Sequence, residues 1–236
     1  MTPTEPGSAY DEAYRTAQAR LIGLISDEAA AVEIPSCPGW TGRDVAAHLT
    51  GVAEAWVHND LDGYASRRWT QAQIKRRAGQ SLDAVAGEWT ALVDELLPIM
   101  RAPTTFGHPA FMPNIVFGDL VVHEHDVREA LRARVPSDDE AVALALRGAI
   151  RRLERKLTKA SAPALDLRPD ELPGQRIGQG DALALVAGEP YELWRSLVGR
   201  RSRRQVEAFR WEGDKRPFID HWLEWPFEWP EVDVVV

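Results

Sequence analysis

The stretch Asp119-Leu-Val-Val-His123-Glu124-His125-Asp126-Val127 constrains the fold more than any other part of the chain. Wound as a helix, it sets Asp119, His123 and Asp126 at i, i+4 and i+7, along one stripe. Val122 and Val127 flank that stripe and turn it toward an interior. A carboxylate and an imidazole one turn apart on an inward face are costly to desolvate without partners. Pairing between themselves is one way to satisfy them, and a metal ion with further ligands from elsewhere in the chain is another.

The search for such a ligand runs through the segments before the stretch. Tyr14, Ala17, Leu21, Leu24 and Ile25 recur at helical spacing over residues 10–25. Residues 29–40 read as a connection ending in Pro35-Ser-Cys37-Pro38-Gly39-Trp40, where two prolines and a glycine disfavour regular structure. Thr41 and Asp44 form a helix start signal, a capping-box variant with a shorter acid. The helix that follows carries Val45, Leu49, Val52 and Trp56 on its apolar stripe, and His48 sits inside that stripe. Residues 59–80 are polar and include a short helix around Thr70–Arg77. Ser81 opens a long helix marked by Leu82, Val85, Trp89, Leu92, Val93 and Leu96, ending near Pro98. Residues 102–113, with Pro103, Gly107, Pro109 and Pro113, read as a loop. The helix holding Asp119 and His123 spans about Asn114 to Arg134, and Pro136 stops it. Helices joined by loops in this way predict a bundle over residues 1–136, and bundles build sites in the core between facing helices. Two of these helices each offer an inward histidine.

From residue 137 the pattern changes. Ser137 and Glu140 form a capping box for a helix to about Thr158, with Val142, Leu146, Ile150, Leu153 and Leu157 on one side. Pro163–Arg168, Gly174–Gly178 and Asp181–Val186 read as strands of a small sheet. Residues 189–198 form a helix ended by Gly199, residues 202–210 form another, and Trp211-Glu-Gly213-Asp214 reads as a turn. Five of the nine tryptophans follow residue 190, a segment expected to pack as a lid or a domain joint. The fold class is therefore α+β, a helical bundle followed by a smaller domain over 137–236.

A net charge of −8 argues against nucleic acid or an anionic membrane as a partner, since both reward basic surfaces. No apolar run reaches the roughly 20 residues of a membrane span. The first residues lack the basic and apolar regions of a signal peptide, so the cytoplasm is the expected address. A single cysteine, Cys37, excludes an internal disulfide framework. It has no catalytic partner identifiable from sequence and reads as a small packing residue. Monomer and homodimer are both compatible with the chain.

His48, His123 and Asp119 together supply two nitrogens and one oxygen. That is the ligand set of catalytic zinc, with a fourth position left for water or substrate, and it is also the two-histidine, one-carboxylate set of non-haem iron. His125 lies about 200° around the helix from His123 and does not join them. Asp126 is positioned as an acceptor behind His123 or as a group near the substrate. The run Arg200-Arg201-Ser202-Arg203-Arg204 is either a solvated helix start or a receiver of an anionic ligand.

The segment Pro35-Ser-Cys-Pro-Gly-Trp-Thr-Gly-Arg-Asp-Val-Ala-Ala-His48-Leu resembles the second-helix signature of the mycothiol-dependent maleylpyruvate isomerase family, within the wider DinB-like helical bundles. Asp119-Leu-Val-Val-His123-Glu-His-Asp126 resembles its Glu-x-x-x-His-x-x-Asp segment. Trp89, Gly199–Gln205 and Arg210–Asp214 are similar to further family features. The resemblance implies a divalent metal, usually zinc, held by His48, Asp119 and His123. It also implies a low-molecular-weight thiol such as mycothiol as cosubstrate, its pKa lowered by the metal. In the isomerase the thiol adds to a conjugated double bond, allows rotation and is expelled, while other relatives transfer the thiol to electrophiles. Asp126 or the arginines Arg200 and Arg204 would orient the bound molecules, and the C-terminal part would help wall the cleft. The family usually has Glu where this chain has Asp119, which draws the carboxylate back by roughly 1.5 Å.

Three readings follow. The first is a metal-dependent thiol transferase or isomerase acting on a small electrophile. The second is a non-catalytic metal- or ligand-binding regulatory or stress protein on the same fold, with a vestigial site. The third is a metal-free polar core in which Asp119 pairs with His123.

Overall fold

The computed structural model describes residues 6–101, 112–134, 140–223 and 226–234. It divides into two compact units, Met1–Ala141 and Val142–Val236. The first holds helices α1 (Pro6–Leu24), α2 (Asp27–Ala30), α3 (Gly42–Val57), α4 (Arg67–Arg77), α5 (Leu82–Arg101) and α6 (Met112–Leu131). The long helix α7 (Glu140–Lys159) starts at its end. In the first unit α3 packs on α5, α1 on α6, and the shorter α4 lies along α3. This is the expected bundle of α1, α3, α5 and α6, with α4 added to one side.

Local signals account for most boundaries. Thr41 caps α3 as expected: its side chain accepts from the Asp44 backbone N–H while Asp44 accepts from the Thr41 N–H at 2.9 Å. Ser66 caps α4 with its hydroxyl alone, which accepts from the Trp69 N–H at 3.2 Å. Helix α5 runs three residues beyond the predicted stop at Pro98. Leu96, Leu97 and Met100 are all buried there, so apolar packing carries the last turn past the proline. The four-residue α2, capped by Ser26, takes up the first two residues of the stretch 29–40 expected to be a connection. The loop prolines Pro103 and Pro109, Pro136, the Ser137 cap and Trp225 lie outside the described residues.

The central helix is α6. Val116, Phe117 and every residue from Leu120 to Arg128 are buried, so a helix expected to bury one stripe is enclosed on all sides from Leu120 to Arg128. Glu124, on the face away from Asp119, receives Arg20 at 2.9 Å and Arg128 at 2.9 Å, which pairs its buried charge.

The second unit carries β1 (Pro163–Pro169), β2 (Gln175–Ile177), β3 (Gln179–Gly188), α8 (Pro190–Leu197), α9 (Arg203–Glu207), β4 (Arg210–Gly213) and α10 (Arg216–Ile219). The sheet order is β2-β1-β3-β4, with β1 and β3 parallel and the outer pairs antiparallel. Strand β4 replaces the turn expected at Trp211–Asp214. Gly213, read as a turn residue, has φ +82, and a Cβ there would stand 2.4 Å from the Leu183 carbonyl oxygen; its role is close approach to β3. Trp194 and Trp222 are buried within this unit, and the Trp222 indole donates to the Ser196 hydroxyl at 3.0 Å. Arg201, inside the basic run, is buried and grips Glu192 with two bonds of 2.6 and 2.7 Å. No helix among the described residues is long and apolar enough to cross a membrane.

Candidate metal centre

His48 on α3 and His123 on α6 are both buried, at 5% and 6% exposure, while the Asp119 side chain keeps 31%. Their rings stand 5.2 Å apart and nearly perpendicular. The Nε2 of His48 is 3.3 Å from Asp119 Oδ2, and the Nε2 of His123 is 3.6 Å from Asp119 Oδ1. One ligand atom from each of the three lies within 4.8 Å of the others. Tetrahedral zinc with nitrogen and oxygen ligands at roughly 2.0–2.2 Å sets adjacent donors about 3.4 Å apart. Asp119 sets one oxygen near that spacing from each imidazole, and the three residues offer donor types that suit a divalent ion. The exposed flank is at Asp119.

The tautomer of His48 is set from behind. Its Nδ1 lies 2.8 Å from Gln73 Oε1 on α4, so Nδ1 carries the proton, donates to the amide oxygen, and leaves the Nε2 lone pair facing Asp119. Gln73 is buried and can come this close because Gly51 on α3 has no side chain: a Cβ at Gly51 would stand 2.5 Å from Gln73 Cβ and Cγ. One turn further along α4, the buried guanidinium of Arg77 bonds Glu88 at 3.1 Å and Glu54 at 2.9 Å, tying α4 to α5 and α3. The sequence reading missed Gln73. Its signal is the run Trp69, Gln73 and Arg77 at i, i+4 and i+8, a stripe of polar and aromatic residues that no hydrophobic count would mark.

Behind His123 stands Asp126, fully buried, with Oδ2 3.1 Å from Nδ1. It occupies the acceptor position behind the imidazole. Cys37, expected to be an inert packing residue, instead places Sγ 3.4 Å from Asp126 Oδ2 and 3.7 Å from His123 Nδ1. Trp40 stacks on His123 at 5.6 Å and meets His48 edge-on at 5.1 Å. Trp69 and Tyr64 continue this aromatic wall. His125 is buried but belongs to neither cluster.

Two phenols sense Asp119. Tyr14, buried and accepting from the Trp89 indole at 3.1 Å, has its pKa pushed well above the ordinary phenol value, by burial first and by the Asp119 charge as well. Tyr64 is raised for the same two reasons. Both phenols stay protonated through the neutral range.

Arg200 and Arg204 lie in the second unit. Arg200 donates to the Val198 carbonyl at 3.1 Å, and Arg204 is ion-paired with Asp233, whose carboxyl the Ser202 hydroxyl and Arg204 hold below its usual range. The other members of the run are likewise engaged, Arg203 with Glu207 and Asp220.

Comparison with known proteins bears on the fold. Two solved structures share the fold. A histidine-to-alanine variant of the mycothiol-dependent maleylpyruvate isomerase is 18% identical, covers 89% of this chain and 94% of its own, and has a TM-score of 0.57. A second structure of the mycothiol-dependent maleylpyruvate isomerase is 19% identical, covers 83% and 90%, and has a TM-score of 0.53. No curated protein sequence matches the chain. The model of the mycothiol maleylpyruvate isomerase N-terminal domain matches residues 12–128, and this segment, which contains His48, Asp119 and His123, belongs to that family.

Proposed function

We propose that the protein is a divalent-metal-dependent enzyme that uses a low-molecular-weight thiol of the mycothiol type, as an isomerase or S-transferase of a small electrophile in the cytoplasm. The observation that carries this is the convergence of the His48 and His123 Nε2 atoms on the two oxygens of Asp119, at 3.3 and 3.6 Å. His48, Asp119 and His123 would hold the ion, zinc first among those the set suits. Such an ion supplies Lewis acidity that favours the thiolate over the thiol at neutral pH.

The chain's own residues supply the rest. Gln73 holds the Nδ1 proton of His48 and Asp126 that of His123, so that both Nε2 lone pairs face Asp119. Trp40, Trp69 and Tyr64 wall the site with aromatic surface. Tyr64, kept protonated, can donate to an oxyanion that forms on the substrate. For a conjugated cis-alkene the thiolate sulfur adds to the β-carbon and the π pair moves to the carbonyl oxygen. Rotation about the new single bond follows, and the returning pair expels the thiolate, with no net redox change. Maleylpyruvate with mycothiol, named for the two matched structures, is the first pair to assay. An anionic group docking at Arg200 and Arg204 is part of the proposal, and it would have to displace Asp233 from Arg204.

The test is elemental analysis of protein from metal-replete growth, paired with a thiol-consumption and isomerisation assay. About one divalent ion per chain and turnover lost in His48→Ala are expected. An ion content below about a tenth of an equivalent would end the proposal. A full equivalent with no turnover for any electrophile would favour the non-catalytic reading.

A further inference from the structure

His123 presents its two ring nitrogens to two different ligand sets. Nε2 faces Asp119 and His48, whereas Nδ1 faces Cys37 and Asp126 on the other side of the ring. The second set is one thiol, one imidazole and one carboxylate. Its separations are 3.7 Å from sulfur to nitrogen, 3.4 Å from sulfur to oxygen and 3.1 Å from nitrogen to oxygen. A tetrahedral ion with sulfur at about 2.3 Å and nitrogen and oxygen at about 2.0–2.2 Å sets these edges near 3.6, 3.6 and 3.4 Å. Each observed separation is within about 0.3 Å of its tetrahedral edge.

The loop that carries Cys37 is built to hold it. The Cys37 N–H donates to the Ile34 carbonyl, the Trp40 N–H to the Cys37 carbonyl, and the Ile34 N–H to the Trp40 carbonyl, each at 2.9 Å. Gly39 closes this turn with φ +81, a conformation that glycine adopts without strain. Asp126 is fully buried on the central helix. Both ends of the set are thus fixed before any ion arrives.

We propose that Cys37, His123 and Asp126 form a second metal position, selective for thiophilic ions, that competes with the first for His123. A neutral imidazole has one lone pair on nitrogen, so the ring serves one set at a time. Binding at the second position releases the Cys37 thiol proton, while the single ring proton leaves Nδ1 and is carried on Nε2. Thiolate ligands select soft ions such as cadmium and Cu(I), so these ions draw His123 away from Asp119 and displace a harder ion from the first position.

The chain has one cysteine, so any thiolate-to-metal charge-transfer band must come from Cys37. Titration of the full chain with cadmium is expected to raise that band to a plateau at one cadmium per chain. Cys37→Ser should abolish it, and Asp126→Asn should weaken cadmium binding by about 10-fold or more. His48→Ala, which breaks only the first set, should leave the band intact; this separates failure of the second position from failure of the proposed function. No band, a plateau at half a cadmium per chain, or a titration indifferent to both Asp126→Asn and His123→Ala would overturn the proposal. In the last two cases Cys37 would be a simple thiol, bridged between chains or binding alone. Circular dichroism and cooperative melting confirm that each variant is folded before it is titrated.

Discussion

Replacing Gly51 by alanine tests whether the tautomer of His48 is set by packing two helices away from Asp119. The new Cβ would stand 2.5 Å from Gln73 Cβ and Cγ and 3.0 Å from Cδ. Carbon pairs settle at about 3.5–4.0 Å, so Gln73 must retreat by about 1 Å. Because Cβ is anchored to the backbone of α4, rotamer change alone cannot provide this. The 2.8 Å bond to His48 Nδ1 would then lengthen to about 3.8 Å, beyond hydrogen-bond range. Losing an outer partner of a ligating histidine typically costs 10–100-fold in metal affinity, about 1.4–2.7 kcal/mol. Stability should change less. Alanine in a helix gains about 1 kcal/mol over glycine and the clash costs about 1–3 kcal/mol, which leaves a net effect from near zero to about 2 kcal/mol destabilising. Zinc competition against a chelator reads the affinity, and nitrogen chemical shifts of His48 read the tautomer without metal. Gly87→Ala on α5, where nothing lies within 4 Å of the new methyl, is the control: about as stable or more so, with affinity unchanged. Gly51→Ala with native zinc affinity and an unchanged His48 tautomer would refute the reasoning.

Other expectations follow from the same geometry. Arg77→Met leaves Glu54 and Glu88 without their buried cation and should destabilise by about 3 kcal/mol, the low end for a broken buried pair because Glu88 is part-exposed; a urea denaturation loss under about 1 kcal/mol would contradict it. Raised phenol pKa values make folding stability full below about pH 10 and falling above it, since the unfolded phenols ionise first. Tyr14 and Tyr64 should each contribute about 1.4 kcal/mol per pH unit to that fall, and Tyr14→Phe should halve the slope in denaturation curves taken between pH 10 and 11.5. Asp119→Glu should weaken zinc binding by about 10-fold, because the present carboxylate already spans near-tetrahedral distances to both imidazoles; calorimetry showing tighter binding would mean that Asp119 falls short.

How much of this could be read from the chain depended on whether the determining contact was local. The Thr41–Asp44 cap and the stripes holding His48, Asp119 and His123 are written in three- and four-residue spacings, and two such stripes in a bundle leave few ways to avoid meeting. Gln73 was hidden because α4 is polar on nearly every side, and its burial depends on an absent side chain at Gly51, 22 positions earlier. Cys37 was misjudged for a similar reason: its neighbours are 86 and 89 residues away, and only the folded turn of Ile34–Trp40 aims it at them. Strand β4 was lost because Gly213 reads as punctuation in sequence, while in the sheet it serves close approach. The enclosure of α6 from Leu120 to Arg128 could not be inferred from one stripe either, since Glu124 faces inward only with Arg20 and Arg128 to neutralise it.

Trp40 gives the protein an optical readout. Its indole lies flat against one imidazole and edge-on to the other, so a paramagnetic ion such as Co(II) or Cu(II) seated between those rings would quench its emission at very short range. Comparing the chain with Trp40→Phe would isolate that component from the other tryptophans. Occupancy of the centre could then be followed by fluorescence in real time, without a chromogenic substrate and before the reaction is known.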